Sequence, residues 1–157
     1  MAVKIDKIDL KILKILQEEG RITNLELSNK IGLSPAPTLE RVRKLERNKY
    51  IDSYHAVVNE KVLGIGIQAF IQVSLTRQLD NAIHSFQEKI QAIDEVVEVY
   101  QVTGSFDYQL KVMVQDIEAL DGLITDKLGK IEEIRQMQSY VILSAIKSSK
   151  VVPFQYN

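Results

Sequence analysis

Apolar residues recur through the first fifty positions at the spacing of helices. In residues 5–19, IDKIDLKILKILQEE, Ile8, Ile12, Leu13 and Leu16 share one helical face, which Ile5, Leu10 and Ile15 widen. Asp6 stands where an N-cap belongs, Asp9 lies at the positive end of the helix dipole, and Gly20 ends the segment. Thr23 with Glu26 has the form of a capping box ahead of Leu25, Leu27 and Ile31, so a short second helix is predicted, stopped by Gly32. The third opens at Ser34-Pro35, a hydroxyl N-cap followed by a proline at the first helical position, where its missing N–H costs nothing. Pro37 is tolerated for the same reason, because the N–H it lacks has no partner within a helix. Leu39, Val42 and Leu45 then form the apolar stripe expected to pack on the first two helices. Three helices in about fifty residues, the last two joined by a short turn after a glycine, have the spacing of a helix-turn-helix.

Beyond residue 67 the period changes from 3.6 to 2. QAFIQVSLT (68–76) places Ala69, Ile71, Val73 and Leu75 on one face and Gln68, Phe70, Gln72, Ser74 and Thr76 on the other, the pattern of a half-buried strand. LDNAIHSFQEKIQAI (79–93) is an amphipathic helix through Ile83, Phe86, Ile90 and Ile93. EVVEVYQVT (95–103) reads as a strand, Gly104-Ser105 as a turn, and FDYQLKVMV (106–114) as a strand with Tyr108, Leu110, Val112 and Val114 on one face. Asp116 caps a helix carrying Leu120, Leu123, Ile124, Leu128 and Ile131, and QSYVILSAI (138–146) closes as a strand. The order β-α-β-β-α-β is the ferredoxin-like split pattern, which makes the chain an α+β protein. The expected division is a helix-turn-helix domain at 1–51, a linker at 52–67 with Gly64 and Gly66 where the chain changes domain, and the ferredoxin-like domain at 68–157. Such a sheet has helices on one face only. Self-association is the economical cover for the other face in a chain of 157 residues.

Composition narrows the function. With 45% hydrophobic and 26% charged residues the chain is of ordinary globular type. The absence of Cys excludes a disulfide framework and a thiolate metal site, and His55 and His84, with no H-E-x-x-H pattern, read as surface or packing residues. No apolar run reaches the roughly 18 residues of a membrane span. The opening MAVKIDKIDLKILKIL lacks the apolar core of a signal peptide, so a cytoplasmic protein is expected. No nucleophile–base pair, phosphate loop or metal cluster points to an enzyme. The net charge of −1 conceals a split, since residues 1–60 hold eleven Lys and Arg against nine Asp and Glu. Within that half, residues 32–51, GLSPAPTLERVRKLERNKYI, carry five basic residues against two acids.

At about 100° per residue, Ala36, Pro37, Glu40, Arg43, Lys44 and Arg47 lie opposite the apolar stripe of the third helix, with Arg41 at the flank. Ser34, Ala36 and Thr38 make its first turn small and polar. Small residues let a helix N-terminus approach the major groove of double-stranded DNA, while Arg and Lys further along hold phosphates. The same charges also fit a solvated helix face in which Glu40 and Lys44 form an i,i+4 pair.

LSPAPTLERVRKLER (33–47), followed by Tyr50-Ile51, resembles the recognition segment of the Lrp/AsnC (feast/famine) family of transcriptional regulators. IDKIDLKILKIL (5–16), GRITNLELSNKIGLS (20–34) and VTGSFDYQLKV (102–112) are similar to the same family in the same order, and so is the βαββαβ half. The resemblance implies a winged-type helix-turn-helix joined to a C-terminal regulatory (RAM) domain, in a nucleoid-associated regulator. It also implies dimers formed through the C-terminal domains, further assembly into octamers (tetramers of dimers), and an amino-acid effector such as leucine or methionine bound between C-terminal domains. Carried over by position, the effector loop is Val102, Thr103, Gly104, Ser105, Phe106, Asp107 and Tyr108, and the second lining segment is Tyr140, Val141 and Ile142 with Ser139 beside it. Gly104 would let a ligand carboxylate approach backbone N–H groups, Asp107 suits an ammonium, and Val102 and Ile142 suit an apolar side chain. Read from the residues alone, Gly104-Ser105 is a hairpin turn with Asp107 a turn residue. Three departures stand out. Lys49 occupies the family's glycine, with Asn48 the expected left-handed cap. Glu60 replaces a proline, and the tail SSKVVPFQYN departs from the usual ending. The other reading is an architectural DNA-wrapping protein without a working effector site.

Overall fold

The computed structural model describes residues 5–76 and 80–154. The chain folds as two compact units: the described residues of Met1–Val57 with those of Lys147–Asn157, and the described residues of Val58–Ile146. The tail expected with the second domain thus lies with the first. There the Val152 N–H donates to Gln17 Oε1 at 2.6 Å.

The first unit is built on three helices, α1 (Lys7–Glu18), α2 (Asn24–Ile31) and α3 (Pro35–Arg47). The Asp6 carboxylate caps α1 by accepting from the Ile8 and Asp9 N–H groups, and the Asp9 carboxylate in turn accepts from the Asp6 N–H. The Thr23–Glu26 capping box closes the start of α2, and Gly32 ends it with φ 76°. Ile12, Leu27, Ile31 and Leu45 are the buried core, with Ile8, Leu13, Leu16 and Val42 among those packed around them.

Two expectations for α3 change. Ser34 occupies the N-cap position but its hydroxyl caps nothing: Pro37 has no N–H to give, and the Ala36 N–H is not taken either. The buried stripe is also rotated: Leu39 is 38% exposed whereas Thr38 is 0% exposed. Thr38 tolerates burial because its hydroxyl donates to the Ser34 carbonyl at 2.9 Å. The helix exit keeps its geometry despite the missing glycine. Lys49, not Asn48, takes the left-handed conformation at φ 60°. The Lys49 N–H bonds the Glu46 carbonyl at 3.0 Å and the Tyr50 N–H the Leu45 carbonyl at 2.9 Å, a Schellman closure.

The second unit contains β1 (Ile67–Leu75), α4 (Asp80–Gln91), β2 (Val96–Gln101), β3 (Tyr108–Val114), α5 (Ile117–Gly122) and β4 (Ile134–Val141). Leu79, where the sequence pattern starts α4, lies outside the described residues. Past Gly122, α5 continues as a π-helical turn, Leu123–Lys127, and a 3-10 turn, Leu128–Lys130. The sheet is antiparallel in the order β2-β3-β1-β4. Ala69, Ile71, Val73, Tyr108, Leu110 and Val112 face the core with Phe86, Ile90, Leu120, Leu123 and Leu128, as the alternation predicts. The opposite face carries Phe70, Gln72, Gln109 and Lys111, with Lys111 Nζ 3.4 Å from the Glu98 carboxylate.

The last strand begins and ends earlier than the expected 138–146. Val141 pairs with Ala69 and the Ile142 N–H reaches the Gln68 carbonyl at 2.8 Å, close to where β1 itself begins. Leu143 and Ile146, without strand partners, are 96% and 94% exposed. At the other boundary Gly66 packs so tightly that a Cβ there would lie 2.4 Å from the Gln115 carbonyl oxygen. Only glycine fits that approach.

The helix exit and the Glu133 cluster each make a testable contribution to stability. Holding a side chain in the left-handed region costs about 1 kcal/mol, so Lys49→Gly is expected to raise the urea midpoint by a corresponding amount. In the second unit Lys89 and then the Ser85 hydroxyl hold the Glu133 carboxyl at about 2, below its usual 4.5. A depressed folded value stabilises fully above the unfolded value of 4.5 and loses that contribution as pH falls through the folded one. Glu133→Gln should therefore melt lower than the parent at neutral pH, with the gap closing on acidification toward pH 2, as parallel thermal melts across that range would read.

Candidate nucleic-acid interface and candidate ligand loop

The outward surface of α3 is made by Ala36, Pro37, Leu39, Glu40, Arg43 and Arg47, all exposed, with exposed Ser34 at its start. The first turn of α3 is poor in donors: Pro35 and Pro37 carry no N–H and the Thr38 N–H bonds the Ser34 carbonyl at 3.3 Å, which leaves the Ala36 N–H without a side-chain cap. Arg43 reaches the Glu40 carboxylate at 3.2 Å, a pair with both side chains more than half exposed. Arg47 extends the basic edge by one turn.

Arg41 and Lys44 are engaged elsewhere. Arg41 Nη1 lies 2.7 Å from Asp6 Oδ2 and 2.7 Å from Asp9 Oδ1, and Lys44 Nζ lies 3.5 Å from Asp9 Oδ2. The Asp9 side chain is 0% exposed. The i,i+4 pair expected between Glu40 and Lys44 is replaced by this cross-helix pairing. Its carboxylates drive the Arg41 pKa still higher, Asp6 contributing most. The Asp6 pKa is lowered, chiefly by the Asp9 N–H at its carboxylate and further by Arg41. Thr38, expected among the groove-facing residues, is buried against its own helix and presents no hydroxyl outward. The Asp6-x-x-Asp9 spacing signals the capping box, but nothing local announces that Asp9 would be buried and meet a cation 32 residues away.

In the second unit the loop from Val102 to Asp107 is fastened to the end of β1. The Asp107 N–H donates to the Val73 carbonyl at 2.9 Å, the Leu75 N–H to Asp107 Oδ2 at 2.8 Å, and the Val102 N–H to the Asp107 carbonyl at 2.9 Å. The Ser74 hydroxyl also reaches the Ser105 carbonyl at 3.3 Å. Gly104 has φ 119°, a conformation that favours glycine, with open space where a Cβ would be. Thr103, Gly104 and Ser105 are exposed, and Val102, Phe106 and Asp107 half-buried. Tyr108 does not belong with them. It is 3% exposed, and its ring stacks tilted on Phe86 with centroids 4.8 Å apart.

The other expected segment lies elsewhere on the sheet. Ser139, Tyr140 and Val141 pair with Ile71, Phe70 and Ala69, whereas Asp107 is bonded at Val73 and Leu75. At about 3.3 Å per residue the two levels are roughly 13 Å apart along β1. Strand alternation turns Tyr140 to the opposite face from Ser139 and Val141. One chain therefore does not bring the loop and this segment together.

Two family profiles together span most of the chain. One, described as Lrp/AsnC ligand binding domain, matches residues 68–152; the other, described as winged helix-turn-helix DNA-binding, matches residues 5–52. The chain belongs to the Lrp/AsnC family. Among Lrp/AsnC relatives, the leucine-responsive regulatory proteins of Escherichia coli K12 and Klebsiella pneumoniae are each 38% identical over 145 residues, 92% of this chain and 88% of theirs. A Neisseria meningitidis transcriptional regulator solved as an L-Met complex superposes with TM-score 0.92 at 35% identity, covering 96% of this chain and 97% of its own. Escherichia coli AsnC superposes with TM-score 0.87 at 28% identity, covering 96% and 100%. Like its Lrp/AsnC relatives, this chain is a transcriptional regulator with one DNA-binding and one ligand-binding domain.

The two arginines of α3 should separate cleanly in a stability measurement. Arg41→Ala leaves the buried Asp9 with only Lys44 at 3.5 Å, a loss expected to exceed that of an exposed pair and to stay below the about 3–5 kcal/mol of a wholly unpaired buried charge. Arg43→Ala removes only an exposed pair, worth about 0–1 kcal/mol. Urea unfolding of both variants checks the contrast.

Proposed function

We propose that the protein is a sequence-specific transcriptional regulator that reads DNA through α3 and responds to an amino acid bound between the ligand domains of different chains. On this reading the N-terminal turn, Ser34, Ala36 and Pro37, approaches the groove, Glu40 lies beside the bases, and Arg43 and Arg47 hold phosphates. Double-stranded DNA is thus one partner and further copies of the chain the other, with dimers, and octamers built from them, as the working assembly. The observation that carries the ligand reading is the loop itself. Its glycine leaves open space where a side chain would stand, and the Asp107 carboxylate, aimed by the Leu75 N–H, suits an ammonium. The similarity to a regulator solved with L-Met favours a leucine- or methionine-like side chain. The separation of the loop from Ser139, Tyr140, Val141 and Ile142 within one chain is consistent with a site completed by another copy. A ligand at such a junction acts by favouring one assembly over another, by the difference in its affinity for the two.

Thermal unfolding against each of the twenty amino acids tests the reading. A ligand present at about 100 times its Kd adds roughly 2.7 kcal/mol of stability, so one or a few amino acids should shift the midpoint while the rest do not. The companion variant is Asp107→Asn, which keeps an acceptor for the Leu75 N–H and removes the charge. It should unfold like the parent without ligand and lose the shift. No shift with any amino acid would return weight to a DNA-wrapping protein with an idle ligand domain.

A further inference from the structure

Asp6 and Arg41 sit at the edge of the proposed DNA surface, and their pairing has an asymmetry that stability alone does not require. Arg41 Nη1 is shared by two carboxylates at equal distance, 2.7 Å each, but the two differ in kind. Asp9 is 0% exposed and cannot be replaced by a group from outside, while the Asp6 side chain is 53% exposed and the Arg41 side chain 29%. Asp6 also borders a shallow depression on the outer surface, shared with Pro37, Glu40, Arg41, Lys44 and Arg47. Three cations therefore meet two carboxylates, Asp6 and Glu40, on the surface through which α3 would meet a duplex, and of the two only Asp6 pairs with Arg41.

We propose that Asp6 is an internal stand-in for a DNA phosphate, occupying Arg41 in the unbound protein and giving it up when a backbone phosphate arrives at that depression. The proposal rests on the reading of α3 as the DNA-binding helix. Asp9 keeps Arg41 anchored to α1 whichever anion holds its exposed side, so the exchange leaves the helix packing intact. An exposed ion pair is weak, about 0–1 kcal/mol, whereas a phosphate contact also releases counterions from the duplex. Arg41 is thus withheld from loosely placed DNA and is recruited only where docking carries a phosphate to the right position. Asp6 sets specificity by lowering affinity for poorly docked duplex. Its role as N-cap does not demand a charge, since Asn caps a helix as well as Asp does.

Asp6→Asn is therefore the informative variant: it retains the acceptor for the Ile8 and Asp9 N–H groups and removes only the competing charge. Binding to a short duplex of mixed sequence would be followed across salt concentrations, with Arg43→Ala and Arg47→Ala in parallel. The expected result is binding about fivefold tighter or more at low salt, with a salt slope steeper by about 1, because one further phosphate is neutralised. The gain should vanish in an Arg41→Gln background, which leaves Asp9 a hydrogen-bond donor, and thermal melts would establish that each variant is folded. Unchanged or weaker binding of Asp6→Asn overturns the proposal, and so does an equal gain in the Arg41→Gln background, which would mark a general charge effect. If Arg43→Ala and Arg47→Ala bind as tightly as the parent, the reading of α3 itself falls. If they bind more weakly while Asp6→Asn gains nothing, only the role of Asp6 falls.

Discussion

A buried carboxylate governs the geometry of the helical unit. Asp9 is wholly inside, and an ionised group there is tolerated only with close cationic partners. Arg41 and Lys44 supply them from α3, so the rotation of α3 about its own axis is tied to the position of one side chain on α1. That rotation decides which residues look outward. It turns Thr38 and Leu45 inward, leaves Leu39 at the surface, and presents Glu40, Arg43 and Arg47 together. The composition of the proposed DNA-facing surface is in this sense tied to a cross-helix ion pair whose carboxylate is buried.

The ligand domain relies on a different constraint, the fastening of an irregular loop to a regular strand. A loop with glycine at φ 119° has no ladder of its own, and its groups must be satisfied elsewhere. Here the end of β1 provides the partners: Val73 offers a carbonyl and Leu75 an N–H, both to Asp107. The aspartate is therefore structural before it is anything else. Its main chain and side chain hold the loop in a fixed orientation.

Polar residues divide along the same line in both units. Glu26 and Asp116 serve helix starts, and Glu133 joins α4 to the start of β4 through Ser85 and Lys89. These are local or sheet-edge devices, and most could be read from spacing. Tyr108 is the counterexample. The loop motif groups it with exposed neighbours, yet strand alternation puts its ring in the core against Phe86.

The sequence by itself determined the order and type of the elements. Helical periodicity, the two capping boxes, Gly32 as a stop and the alternation of β1 and β3 depend on residues within a few positions of one another. The energies that enforce them act at that range. It also carried the family, because the two matching segments lie in order along one chain. Tertiary structure decided what depends on distant partners. The engagement of Arg41 needed Asp9, which lies 32 residues before it. The early end of β4 needed the register of β1, and the separation of the candidate ligand loop from Ser139–Val141 needed the strand order β2-β3-β1-β4. A charge pattern shows which residues are available to a surface; the buried partner across the fold selects which of them reach it.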